Sequence, residues 1–403
     1  MLLPAGRRRS PASPLQPNRH RRRGTLCLTR RPRQRILAAS RKSISVGRWT
    51  HQLWGGLAQH LMTKKYGVAI LGAGWVAGEY VKAFRDHPLT EISGIYSHTP
   101  GKAGKLLKLH GVEAREYSSE DELFDDDRVK IVASCTPPDV RPQQLERAAK
   151  SGRHIVIEKP IALDYAGVKR VYNAVRDAKV KSVTSFVLRW NPQFETVKQL
   201  QADGVIGTMI YAEADYWHPM KTEYPSYPWA VTKERGGSSF VSAGCHAADA
   251  IRYFAGEVSE VSAFSSGPKK DLNYTYDPTT VASLRFENGA VGKLSSVIEG
   301  ETPYIFNVRL FGTNGTIQNN RVFSRKHYPG SLNYWAFPTI EPDSGDVTHH
   351  PFVPEIRHFL ECIENNVESH AAIYDSYKSM ALCFAIDESA ANNGKPVKVD
   401  YKV

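Results

Sequence analysis

Gly67-Val68-Ala69-Ile70-Leu71-Gly72-Ala73-Gly74-Trp75-Val76-Ala77 reads as a short buried strand, a glycine turn and the opening of a helix. The first turn glycine permits the reversal, and the second lets backbone approach a bulky anion. Ala77 at the third position keeps helix and strand close. A pyrophosphate would rest on the N-terminal dipole of such a helix. Gly72, Gly74, Trp75 and Val76 are therefore candidate dinucleotide-binding positions.

Working outward, residues 66 to about 185 alternate apolar runs with helical spacing. Strands are predicted at 67–71, 91–96, 130–135, 154–157 and 181–186, and helices at 77–86, 102–110, 140–151 and 165–178. That alternation predicts an α/β fold with a doubly wound, Rossmann-type parallel sheet. Such sheets bind ligands at the carboxyl ends of their strands. Three segments fall there: the glycine turn, Cys135-Thr136-Pro137-Pro138 and Glu158-Lys159-Pro160. After Arg189 longer β-rich segments take over, at 208–216, 258–265, 279–286, 290–298, 304–312 and 315–318. Turns such as Glu287-Asn288-Gly289 and Thr313-Asn314-Gly315 separate some of them. This predicts a second α/β domain on a large, open, mainly antiparallel sheet. Helices at 192–201, 244–254, 354–365 and 376–392 would cover it and close the fold. The expected organisation is an extension over 1–63, a nucleotide-binding domain over 64–186 and a substrate and oligomerisation domain over 187–403.

The 403 residues carry a formal charge of +12. Residues 1–63 hold thirteen Arg and one Lys with no acid, or +14, which leaves 39 basic against 41 acidic residues, or −2, for the rest. The charge therefore argues neither for nucleic acid nor for a membrane as partner of the folded part. The extension, rich in Arg and Pro, is expected to be disordered. Its composition is compatible with an organellar transit peptide. Met62-Thr63-Lys64-Lys65-Tyr66 also reads as a natural start, which would make the upstream residues a mis-assigned reading frame. Five cysteines without a CxxC pair suggest a reducing, cytoplasmic setting.

Several residues carry chemistry. An acid normally ends the second strand of a dinucleotide fold and accepts from the adenosine ribose. Ile95-Tyr96-Ser97-His98-Thr99 has none. A carboxylate would repel a 2′-phosphate, whereas Ser97, His98, Thr99 and Lys102 can donate to one. NAD(P) is expected, with a mild preference for NADP. Thr136 and Pro137 form a rigid turn that can lie against the cofactor, and Glu158 sits beside it. Lys159, at a strand mouth, can hydrogen-bond a substrate hydroxyl and stabilise its alkoxide; the plainer alternative is a surface lysine paired with Glu158. The segment Gly236-Gly237 to Gly244-Cys245-His246-Ala247-Ala248-Asp249 places His246 and Asp249 on one helical face, where Asp249 can orient the imidazole.

The glycine turn, Glu158-Lys159-Pro160, Arg189-Trp190-Asn191-Pro192 and Gly236-Gly237…Gly244-x-His246-x-x-Asp249 occur in this order. Over about residues 65–400 this series resembles the Gfo/Idh/MocA oxidoreductases, the glucose-fructose oxidoreductase and inositol dehydrogenase family. The resemblance implies a Rossmann domain plus an α/β domain whose open sheet often mediates homodimers or homotetramers. It also implies hydride exchange between nicotinamide and a sugar, cyclitol or related polyol. Lys159 matches the family's active-site lysine and His246 its catalytic histidine, while Arg189 and Asn191 fall in the segment entering the cleft. Where the family often has aspartate, four residues before the histidine, this chain has Ser242. Tyr216, Trp217, His218, Tyr227 and Trp229 are candidate sugar-stacking residues, with packing as the alternative. The reading is an NAD(P)-dependent dehydrogenase without a metal. Its rivals are a non-enzymatic nucleotide-binding sensor and a redox-neutral NAD-dependent glycosidase.

Overall fold

A computed structural model describes residues 65–270, 272–342 and 350–403. The basic extension over 1–63, its expected disorder and Cys27 lie outside them. Strands β1 (Tyr66–Leu71), β2 (Thr90–Tyr96), β3 (Arg115–Tyr117), β4 (Val129–Ser134), β5 (His154–Ile157) and β6 (Ser182–Thr184) form one parallel sheet in the order β3-β2-β1-β4-β5-β6. Helices α1 (Trp75–Arg85), α2 (Lys102–Leu109), α3 (Glu120–Asp125), α4 (Arg141–Lys150) and α5 (Tyr165–Ala178) connect its strands. Side chains on both faces of β1 are buried beneath helices, which is why its run is apolar throughout rather than alternating. The expected doubly wound sheet is present. Strand β3 and helix α3 were not foreseen, because three polar edge residues carry no periodicity. Their cap was readable: Ser119 Oγ accepts from the Glu122 amide at 3.1 Å, and the Glu122 carboxylate accepts from the Ser118 amide at 2.7 Å.

Past β6 a 3₁₀ turn over Val187–Trp190 leads into α6 (Pro192–Ala202). Asn191 caps that helix, its Oδ1 accepting from the Gln193 amide at 2.9 Å. The second sheet has nine strands: β7 (Met209–Trp217), β8 (Val258–Ser266), β9 (Thr279–Phe286), β10 (Val291–Val297), β11 (Ile305–Gly312), β12 (Thr316–Gln318), β13 (Arg321–Phe323), β14 (Trp335–Ala336) and β15 (Val397–Lys398). All pairings are antiparallel except β7 with β10. Helices α7 (Cys245–Ala255) and α9 (Ile373–Ala391) cover one face. Alternation along β7 turns Tyr216 towards them and Trp217 to the other face. There the Trp217 indole donates to Ser295 Oγ at 2.9 Å. Trp217 is therefore not a pocket residue.

The chain then returns to the first sheet. Helix α8 (Phe352–Glu364) packs Phe352, Ile356, Phe359 and Leu360 into the same core as Tyr80, Val81 and Phe84 of α1.

A buried ionic cluster fixes α7. Arg189 donates to both carboxylate oxygens of Asp249, at 2.8 and 2.5 Å, and also reaches Asp375 and the His370 carbonyl. Ser379 Oγ donates to Asp249 at 2.8 Å, while Arg252 links Ser379, Asp375 and Glu257. Arg189 and Asp249 thus form scaffold, because a guanidinium taken from water needs both carboxylates to hold it. Asp249→Ala leaves that cation unpaired and is expected to cost ~3–5 kcal/mol, read from urea unfolding; a role confined to orienting His246 would instead lower turnover and leave stability intact.

Candidate active site

The glycine turn lies at the meeting of three strand ends. The Gly72 amide donates to the Tyr96 carbonyl at 2.8 Å and the Cys135 amide to the Leu71 carbonyl at 2.7 Å. Gly72 has φ of +94°, and a Cβ there would stand 2.9 Å from the Cys135 carbonyl oxygen. Glycine is required on both counts. At Gly74 a Cβ would meet nothing within 4 Å, so the open space lies on this side of the turn. Helix α1 begins there with no acid in its first turn and with Trp75 exposed, leaving its N-terminal amides for an anion. These features fit a dinucleotide pyrophosphate. At the end of β2, Ser97 is half-buried while His98, Thr99 and Lys102 are exposed, and residues 97–102 include no acid.

Arg141, which sequence reasoning missed, organises the neighbouring loops. It is buried, donates to the Glu158 carbonyl at 2.7 Å, and reaches the carbonyls of Pro160 and Thr136. One guanidinium thus clamps both loops that meet the cofactor site, and its planar fork suits the task. The available signal was a basic residue opening α4 directly after the Thr136-Pro137-Pro138 turn. Thr136 Oγ1 donates to Gln144 Oε1 at 2.6 Å, fixing the turn from behind.

Lys159 is half-buried and donates to the Ser242 carbonyl at 3.3 Å. This contact brings the strand-end lysine to the second half of the predicted site. Residues Phe240–Gly244 form a π-helical turn before α7, an irregularity common at functional positions. It sets His246 in the first turn of α7, stacked on Tyr216 with ring centroids 5.6 Å apart at 19°. His246 is buried, its Nδ1 without a hydrogen-bond partner among the described residues. Burial, then the charges of Lys159, His350 and His218, hold its pKa well below the ordinary imidazole value. His246 is therefore neutral, and Asp249 does not orient it. The Ser242 hydroxyl donates to the Ser238 carbonyl at 2.8 Å, so the residue at the family's aspartate position is turned into its own helix.

Tyr216 and His218 line the space beside His246. The Tyr216 hydroxyl lies 3.2 Å from His218 Nδ1, and His218 Nε2 lies 3.3 Å from the Tyr224 hydroxyl. Burial and the charges of Lys159 and Lys221 bring His218 down to about 4, so this ring is neutral too. A cleft of about 670 Å³ opens beyond it, lined by His218, Met220, Tyr224, Leu272, Thr302 and Tyr304. Tyr227 is buried and bonds the Leu272 carbonyl, as packing. Trp229 lies half-buried beneath the Arg235 guanidinium, which pairs with Asp139 at 3.0 Å.

Geometry and fold define a dinucleotide-dependent oxidoreductase, and comparison with known proteins places it more closely. Residues 66–186 match the oxidoreductase family with an NAD-binding Rossmann fold, and residues 194–318 match the GFO/IDH/MocA C-terminal domain. The chain belongs to the Gfo/Idh/MocA oxidoreductases, and its enzyme class is that of dehydrogenases acting on CH–OH groups. It is 26% identical to an inositol 2-dehydrogenase of Rhizobium meliloti, over 82% of this chain and 98% of that one. It is 24% identical to a levoglucosan dehydrogenase of Pseudarthrobacter phenanthrenivorans, over 80% and 96%. The fold superposes on a levoglucosan dehydrogenase solved with NADH, with a TM-score of 0.75 and 22% identity over 84% of this chain and all of that one. Among the described residues no helix is long and apolar enough to cross a membrane, and no group of His, Cys, Asp and Glu could hold a metal.

Asp387 on α9, a residue the sequence did not mark, backs the segment that carries Ser242. Burial pushes its carboxyl up to about 7, against the opposing effects of a hydrogen bond to Ser238 and the charge of Lys233. The native state thus keeps a proton that the unfolded chain releases near 3.8. Stability from this group falls as pH rises from about 4 to about 7 and is flat above. Asp387→Asn is expected to remove that slope and to be more stable than wild type at pH 8, measured by chemical unfolding across the range.

Proposed function

We propose that this protein transfers hydride between NAD(P) and a secondary hydroxyl or carbonyl of a sugar, cyclitol or related polyol. The observation that carries the reading is the convergence of Lys159 and neutral His246 beside the carboxyl ends of β4 and β5, held together through the Ser242 carbonyl. A bound nicotinamide supplies the hydride acceptor or donor. Lys159 would hold the reacting oxygen by its ammonium and stabilise negative charge there. His246, neutral beside Lys159, takes the hydroxyl proton on oxidation. Tyr216 and His218 orient the polyol, whose C–H faces suit aromatic walls. The inositol and levoglucosan dehydrogenases among the relatives favour the same substrate class. Lys159→Ala should lower kcat by roughly 10²–10⁴ with dinucleotide affinity nearly unchanged, measured by steady-state kinetics and titration of bound cofactor in a sugar and cyclitol screen. Cofactor binding without turnover in the wild type would favour a sensor or the redox-neutral glycosidase.

We further propose that NADP is accepted and mildly preferred. Residues 97–102, which follow β2, include no acid to repel a 2′-phosphate, and Lys102 among them is exposed. Lys102→Ala should reduce the ratio of kcat/KM for NADP over NAD by about 2- to 5-fold, the worth of an exposed charge pair; an unchanged ratio would remove Lys102 from the site. Self-assembly through the uncovered face of the second sheet is also proposed. Phe264, Val281 and Val291 are exposed there.

A further inference from the structure

A polar chain runs from Glu158 away from the cleft into the core. Tyr80 lies on α1, Ser185 just past β6 and Glu355 on α8, and all three, like Glu158, are buried. The Tyr80 hydroxyl lies 3.2 Å from Glu158 Oε1 and also contacts Ser185 Oγ, which is 2.8 Å from Glu355 Oε1. Three oxygen-to-oxygen contacts in series join two carboxyl groups, and each requires one proton. Two hydroxyls bring only two. The third must sit on a carboxyl.

The surroundings decide which one. Glu158 has two cations near it, Lys159 and Arg141, whereas among the described residues no cation acts on Glu355. Glu355 Oε2 is buried and has no hydrogen-bond partner among the described residues. A carboxylate oxygen left bare in the core is far more costly than the carbonyl oxygen of an un-ionised acid. We propose that Glu355 is a neutral carboxylic acid that donates through Ser185 and Tyr80 to the Glu158 carboxylate, and so acts as a positioning residue for Lys159.

The remaining groups around the chain agree. Burial pushes the Glu355 carboxyl well above the usual carboxylate range, and the charge of Glu158 adds to this. Tyr80 and the Cys135 thiol are raised in the same way and stay neutral. Glu158 is then the charged end of the chain, with Lys159 and Arg141 beside it, and the directed chain fixes the carboxylate next to Lys159. The device also binds α8, from the far end of the sequence, to the catalytic loop.

The proposal rests on the preceding functional reading only for the task of Lys159; the proton itself is observable without turnover. Infrared spectra of the whole chain at about pH 9, two units above Asp387, are expected to show the carbonyl stretch of an un-ionised carboxyl. That band should vanish in Glu355→Gln and persist in Glu158→Gln. Because a glutamine amide also donates to Ser185, Glu355→Gln should retain kcat within about 3-fold, whereas Glu355→Ala should lose at least 10-fold in kcat with little change in KM. A wild-type spectrum without the band, a band that survives Glu355→Gln, or a glutamine variant as impaired as the alanine variant would overturn the assignment. Absence of turnover in wild type alongside the band would defeat the dehydrogenase reading and leave the neutral acid in place.

Discussion

His246 stands where it does because Arg189 is buried. A guanidinium withdrawn from water cannot remain without counter-charge, and this one takes Asp249 from α7 and Asp375 from the start of α9. The same residue lies in the 3₁₀ turn that leaves the first sheet. One cation therefore ties three segments that are remote in sequence, and α7 carries His246 one turn before Asp249. The polypeptide invests two of its most functional-looking side chains in holding the site rather than in forming it.

The site that results is electrostatically lopsided. Lys159 is the cation, and the rings of His246 and His218 are pressed towards neutrality by burial and by that cation. A neutral imidazole beside an ammonium suits a hydroxyl that loses a proton and a hydride in one event. It offers an acceptor for the proton while the ammonium holds the oxygen. With the Ser242 hydroxyl turned into its own helix, no carboxylate at that position lifts the His246 pKa back.

Much of the fold was legible because buried parallel strands read as apolar runs and glycines mark turns that no other residue can make. The glycine turn and Glu158-Lys159-Pro160 were found where strand ends had to be. Asp249 was misread because i, i+3 spacing gives a shared helical face without saying which neighbour from another segment meets it. Trp217 was left open between stacking and packing for a related reason: with Tyr216 it looked like one aromatic patch, but the strand pleat sends the two to opposite faces. Arg141, Glu355 and Asp387 gave no motif at all, since their roles exist only across separations that local pattern does not span.

The sequence by itself determined the two-sheet α/β architecture, the dinucleotide turn at Gly72 and Gly74, and the candidacy of Lys159 and His246. Those follow from periodicity, from backbone angles that exclude a Cβ and from residue chemistry, all of which are local. Tertiary structure alone decided which ionisable groups are paired, which are neutral and which face the cleft. Charge state depends on burial and on neighbours brought from distant segments, and only the folded chain specifies both.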